Sequence, residues 1–137
     1  MNVSMVIIVD GVEHMNINDL VHKYYLSNDF NVLADKTKHD YQYCAGVLLA
    51  TEVDGKSLSE IRLTKMTGAI ARRGYEQWLG RGIYQANAIT SVARKVYSFG
   101  MEMGYAESNP FATYKRKTPH ARNTVWTKDQ VTQFLDV

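Results

Sequence analysis

Cations and side-chain amides at helix starts are the chemistry this sequence offers most of. Lys36, Lys38 and His39 gather where one helix should begin, beside backbone N–H groups that already favour phosphate. Arg81, Gln85 and Asn87 surround the start of another, with Arg94 and Lys95 farther along it, and Arg72 and Arg73 lie on the polar side of a third. Lys115-Arg116-Lys117 is an unbroken cationic run, followed by Arg122. Arginine and lysine hold phosphates, while glutamine and asparagine can reach base edges. A solvated charged face uses the same residue types. The clustering at helix starts and in one connecting segment favours a nucleic acid.

Other chemistries find less support. The four histidines, His14, His22, His39 and His120, are scattered, with no i,i+4 pair and no carboxylates at metal-ligand spacing. There is no GxSxG elbow, P-loop or dinucleotide fingerprint. Gly80-Arg81-Gly82 is too short to cradle a phosphate and is explained by a helix break. Nine tyrosines invite a nucleophile, but Tyr24, Tyr41, Tyr75, Tyr97 and Tyr105 sit where packing explains them. The single cysteine, Cys44, lies in an apolar helical stripe and is expected to be a buried, inert thiol. The expectation is a binding protein that is not itself an enzyme, with no cofactor and no metal.

The 137 residues give room for one domain and the edge of another. The apolar run Met5–Val9 is too short to span a bilayer, and no basic residue precedes it as a secretory signal requires. A soluble protein of the cytoplasm, with no membrane partner, is expected. The net charge of +2 is unevenly spread. Residues 1–35 hold five acids against one base, and residues 36–137 hold fifteen bases against nine acids. A basic surface facing a polyanion is the expectation from that polarity.

These residues must be positioned by helices. Asp10-Gly11, between β-branched residues, predicts a short N-terminal β-hairpin. From Ile17 the period turns helical, with Ile17, Leu20, Val21 and Tyr24 on one face and Asn16 or Asn18 as cap. A second helix is expected from Thr37, where "TKHD" has the shape of a capping box, with Tyr41, Cys44, Ala45, Leu48 and Leu49 as its stripe. Asp54-Gly55 makes a turn. A third helix spans about Thr64 to Leu79, packing Met66, Ala69, Ile70 and Trp78. A fourth carries Ala86, Ile89, Val92, Ala93, Val96, Phe99 and Met103 and stops at Gly104. After Pro110 the chain reads as an extended linker. A capped helix restarts at Thr127-Gln130, stapled by Trp126 and Val131, and runs off the end at Val137 as the first helix of a truncated second domain would. The fold class is therefore all-α, a small four- to five-helix bundle. Its divisions are a lead segment 1–16, a DNA-binding bundle 17–114, a basic linker 115–126 and a helix stub 127–137.

The ordered series resembles the amino-terminal half of phage integrases, the tyrosine recombinases. "TKHDYQYCAGVLLA" looks like that family's second core-binding helix, and "SLSEIRLTKMTGAIARRGYEQWLGRG" like its connector and third helix. "NAITSVARKVYSFGMEMGYAESNPF" resembles the last helix with its Gly-Tyr…Asn-Pro ending, and "VWTKDQVTQFLDV" the first helix of the catalytic domain. The resemblance implies a SAM-like core-binding domain that grips duplex DNA at the strand-exchange site, joined by a basic linker to a catalytic domain, the two closing as a clamp. It implies that Lys36, Thr37, Lys38 and His39 match the exposed start of the second helix. Arg81, Tyr84, Gln85 and Asn87 match the start of the fourth, and Lys115, Arg116, Lys117 and Arg122 the linker. The implied partners are double-stranded DNA, a C-terminal catalytic domain and other integrase protomers. The family's catalytic residues have no counterparts in this chain.

Two rival readings remain. A helical protein-interaction module would show an exposed apolar patch. A helix-turn-helix regulator would use "GRGI" as the tight turn between the third and fourth helices.

Overall fold

Asn16 starts the first helix for a local reason. Its side chain accepts the Asp19 N–H at 2.8 Å, and the Asp19 carboxylate accepts the Asn16 N–H at 3.2 Å. This reciprocal capping box opens α1 (Ile17–Tyr25), which buries Ile17, Leu20, Val21 and Tyr24 as expected. The structure, a computed structural model, describes residues 14–118. The Asp10-Gly11 hairpin, Arg122 and the helix restart at Thr127 lie outside those residues. The described residues are mostly helical, with five α-helices and one two-stranded sheet.

Ser27 caps a short α2 (Asn28–Asn31), which has too few residues to show a period in the sequence. The next helix corrects the expectation for Thr37. α3 (Asp35–Ala50) begins two residues earlier, with Ala34 as its cap, and the Thr37–Asp40 capping box does not form. The Lys38 N–H already donates to the Ala34 carbonyl at 2.9 Å, so Thr37 is inside the first turn rather than ahead of it. Cys44, Ala45 and Leu48 are buried, and Tyr41 and Leu49 half-buried. Burial, with Asp40 adding to it, pushes the Cys44 thiol up and keeps it protonated.

Asp54 and Gly55 both take positive φ, 55° and 82°. That is the two-residue turn expected of Asp-Gly, and it closes a small hairpin, β1 (Glu52–Val53) against β2 (Lys56–Ser57), that the all-α reading did not include. Two single 3-10 turns, Leu58–Glu60 and Leu63–Lys65, come next. They lace the entry to α1: the Ile17 N–H donates to the Ile61 carbonyl at 3.1 Å, and the Leu63 N–H to the Met15 carbonyl at 2.9 Å.

The third expected helix starts later than Thr64. α4 (Gly68–Trp78) is capped by Thr67, whose hydroxyl accepts the Ile70 N–H at 3.2 Å. Counting back from Trp78 at three-and-four spacing, its core face is Tyr75, Gly74 and Ala71. Ala69 is therefore exposed, against the expectation, while Ile70 is half-buried and packs on the edge of the core. Met66 is buried but lies before the helix. A 3-10 turn, Leu79–Arg81, and Gly82 at φ 120° lead into α5 (Ile83–Glu102). Ala86, Ile89, Val92, Ala93, Val96 and Phe99 are buried as the period requires. Met103 is corrected from core to surface, 53% exposed, because it is the C-cap. Gly104, at φ 81°, then turns the chain. Its N–H donates to the Met101 carbonyl and the Tyr105 N–H to that of Gly100, which is a Schellman ending.

The largest correction concerns the segment after Pro110. It is not an extended linker there. Asn109 caps a 3-10 turn, Pro110–Ala112, that inserts Phe111 fully into the core. Its ring packs at 6.3 Å from Trp78 and 5.5 Å from Tyr97. Burying a phenylalanine contributes about 1.5–3 kcal/mol, enough to hold the cationic run against the bundle. None of the described helices is long and apolar enough to cross a membrane.

Candidate nucleic-acid interface

Residues 111–118, here called the strap, lie between α4 and α5 and are tied to both. Arg94 of α5 donates from Nε to the Phe111 carbonyl at 2.6 Å and from Nη2 to the Tyr114 carbonyl at 2.8 Å. The Tyr114 hydroxyl meets that of buried Thr90 at 2.9 Å. Farther on, Tyr75 of α4 and Asn87 of α5 close a ring around the Lys117 peptide. The Lys117 N–H donates to the Tyr75 hydroxyl at 2.8 Å, that hydroxyl donates to Asn87 Oδ1 at 2.7 Å, and Asn87 Nδ2 donates to the Lys117 carbonyl at 3.0 Å. The Lys115–Lys117 run is thus held on the domain surface, where the sequence suggested a free linker.

Between the strap and α4 is a groove of about 640 Å³. Arg72, Lys115 and Lys117 are its cationic lining residues and Glu76 its acidic one, with Tyr114 beside them and the buried Tyr75 beneath. Glu76 already faces Arg72 at 3.4 Å across one helical turn, an exposed pair of small energetic weight. Gly68 closes the groove at the α4 start. A Cβ there would collide with the Thr113 hydroxyl, so only glycine allows the strap to approach this closely. Arg116 points elsewhere. Its guanidinium donates to Ser91 of α5 at 2.5 Å.

The expected site residues fall into separate groups. Arg72, Lys115 and Lys117 share the groove, and Arg116 joins the exposed α5 face that carries Tyr84 and Lys95. Arg81 is exposed in the turn before that face, and Gln85 is half-buried beside it. Lys36, Thr37, Lys38 and His39 are elsewhere. Lys38 lies 5.9 Å from the Phe30 ring, Phe30 packs on Tyr24, and Tyr24 packs on Phe99 near the far end of α5. A twenty-residue helix is about 30 Å long, so the α3 start and the Arg81 end are two patches. Among the described residues no side chain caps the N-terminus of α3 or of α5. Arg73 is taken up by an ion pair with Asp54 in the hairpin turn.

Sequence reasoning placed Asn87 among base-reading residues, yet its amide is committed to Tyr75 and Lys117. It also passed over Tyr114 and the structural task of Arg94, although Phe111 and Tyr114, three residues apart, are the signal for a docked turn. A further set of cations, Lys56, Arg62 and Lys65, borders a second depression of about 610 Å³ beside the hairpin. Burial raises the Tyr114 phenol, partly offset by its bond to Thr90 and by Arg94. Among the described residues no cluster of histidine, cysteine or carboxylate could hold a metal ion. No protein-family model, curated protein or solved structure matches the chain.

Proposed function

We propose that this chain is a duplex-DNA-binding module of the core-binding type found in tyrosine recombinases such as phage integrases. The observation that carries the reading is the docked basic strap. Its three consecutive cations sit on a folded surface beside Arg72 and the exposed face of α5. The order of the helices, the Schellman ending before Asn109-Pro110 and the uncapped starts of α3 and α5 also support it. Phosphate contacts supply the affinity, and Arg81, Tyr84, Gln85 and Lys95 offer side chains to the groove floor. In this reading, chemistry belongs to a catalytic domain and to other protomers of the assembly.

A salt titration of duplex binding tests it. Each phosphate contact contributes roughly 0.9 to the slope of log affinity against log salt, so replacing Lys115, Arg116 and Lys117 by alanine flattens that slope by roughly 2–3. A wild-type protein that ignores duplex DNA at low salt sinks the reading.

One observation favours a second reading, a protein-interaction module. Leu26 is 82% exposed and lines a shallow depression with Met103, Phe99 and Tyr105. A dimer that survives high salt in sedimentation, and is lost in Leu26→Glu, would support it.

A further inference from the structure

Asn87 has the side chain of a base reader and the hydrogen bonds of a brace. Its carbonyl oxygen is filled by the Tyr75 hydroxyl, and one of its N–H donors by the Lys117 carbonyl. Tyr75 is buried, so its ring has no face to offer a base, and its hydroxyl serves both Asn87 and the Lys117 N–H. Both backbone hydrogen-bonding groups of Lys117 are thereby fixed, the N–H from α4 and the carbonyl from α5.

We infer that Tyr75 and Asn87 are positioning residues that divide the strap's cations between two DNA-facing edges. Lys115 and Lys117 line the α4 groove with Arg72, and the Arg116 side chain reaches Ser91 of α5. The assignment alternates along Lys115, Arg116 and Lys117. Alternation alone does not say which edge receives the pair, because rotating the strap about its own axis would exchange them. The ring around Lys117 removes that freedom. Arg94 fixes the other end of the strap, at Phe111 and Tyr114. The ordering is thus completed during folding, and the complex does not bear it on binding.

The inference rests on the proposed DNA binding, and it separates from it experimentally. Tyr75→Phe removes one hydroxyl and keeps the ring; Asn87→Ala removes the brace from the other side. The probe is a fluorescein-labelled duplex titrated by anisotropy at several salt concentrations, with amide exchange of Lys117 monitored in the same proteins. Each variant is expected to weaken binding by about threefold to tenfold with an unchanged salt slope, and to accelerate exchange at Lys117. The Lys115→Ala/Lys117→Ala protein, in contrast, lowers the slope by roughly 2. Wild-type affinity in Tyr75→Phe despite a lost Lys117 protection overturns the positioning role and leaves DNA binding intact. A slope that falls in Asn87→Ala overturns it too, because Asn87 would then be in contact with DNA. Absence of any duplex binding by the wild type ends both readings.

Discussion

Arg94 holds the Phe111 carbonyl at 2.6 Å from the middle of α5, seventeen residues earlier in the chain. The same guanidinium reaches the Tyr114 carbonyl and lies 5.7 Å from the Tyr114 ring. Two carbonyls in line suit the planar fork of arginine and do not suit an ammonium. Arg94→Ala is expected to destabilise the protein by about 2–3 kcal/mol, since hydrogen bonds to a charged group are worth more than neutral ones. Arg94→Lys should recover less than half of that loss in urea unfolding. Full recovery would show that charge rather than the fork fastens the strap.

Gly68 and Thr113 form a steric pair. Gly68→Ala places a methyl group against the Thr113 hydroxyl, and overpacking of this kind commonly costs about 1–3 kcal/mol. Thr113→Ala alone loses a bond to the Pro110 carbonyl. The double variant should be more stable than the sum of its parts, with a coupling of about 1 kcal/mol in a double-mutant cycle. Additive losses would mean that strap and helix do not touch there.

Trp78 donates its indole N–H to Thr51 at 2.8 Å, joining the end of α4 to the end of α3. Thr51 donates in turn to the Val47 carbonyl at 2.7 Å. Thr51→Val keeps the shape and strands the indole N–H, so it should destabilise by about 1–3 kcal/mol. Urea titration read by tryptophan fluorescence measures the loss. A neutral result would show that the indole finds another acceptor.

Alkaline pH should unfold the domain through its buried phenols. Burial, with Tyr41, Asp29 and Tyr25 adding to it, raises Tyr24 to about 12, and burial also raises Tyr97. The unfolded phenols ionise near 10 and the folded ones above it. Their stabilisation is therefore complete below about pH 10 and is lost as pH climbs toward 12. Both hydroxyls are buried and have no hydrogen-bond partner among the described residues. Tyr24→Phe and Tyr97→Phe should each be neutral or stabilising by up to about 1 kcal/mol at pH 7. The pair should also flatten the alkaline fall of the melting temperature; an equally steep fall would place the sensitivity in other groups.

What the sequence disclosed was local. The Asn16 cap, the α5 stripe, the Asp54-Gly55 turn and the Gly104 ending each depend on residues within one or two turns of chain. The starts of α3 and α4 differ from the expectation, at Thr37 because "TKHD" has the composition of a capping box and at Thr64 because the apolar residues before the helix, Met66 among them, extend its stripe. The decision lay with Ala34, whose carbonyl takes the Lys38 N–H, and with the 3-10 turn that moves the cap to Thr67. The candidate site was legible as a list of cations and illegible as an arrangement. Nothing near Lys117 announces that its peptide will meet Tyr75, 42 residues away, and Asn87 could be assigned to bases only while that contact was unknown.

Phe111 also bears on which part of the chain completes the core. α5 is complete at Glu102, yet the core stays open until a ring nine residues farther along arrives between Trp78 and Tyr97. A chain ending at Gly104 would contain all five described helices and lack the ring that packs on Trp78 and Tyr97, leaving apolar surface exposed. The docking of Phe111 that fills this core also fixes the start of the basic strap. Sealing of the core and placement of the cationic run thus depend on the same short segment.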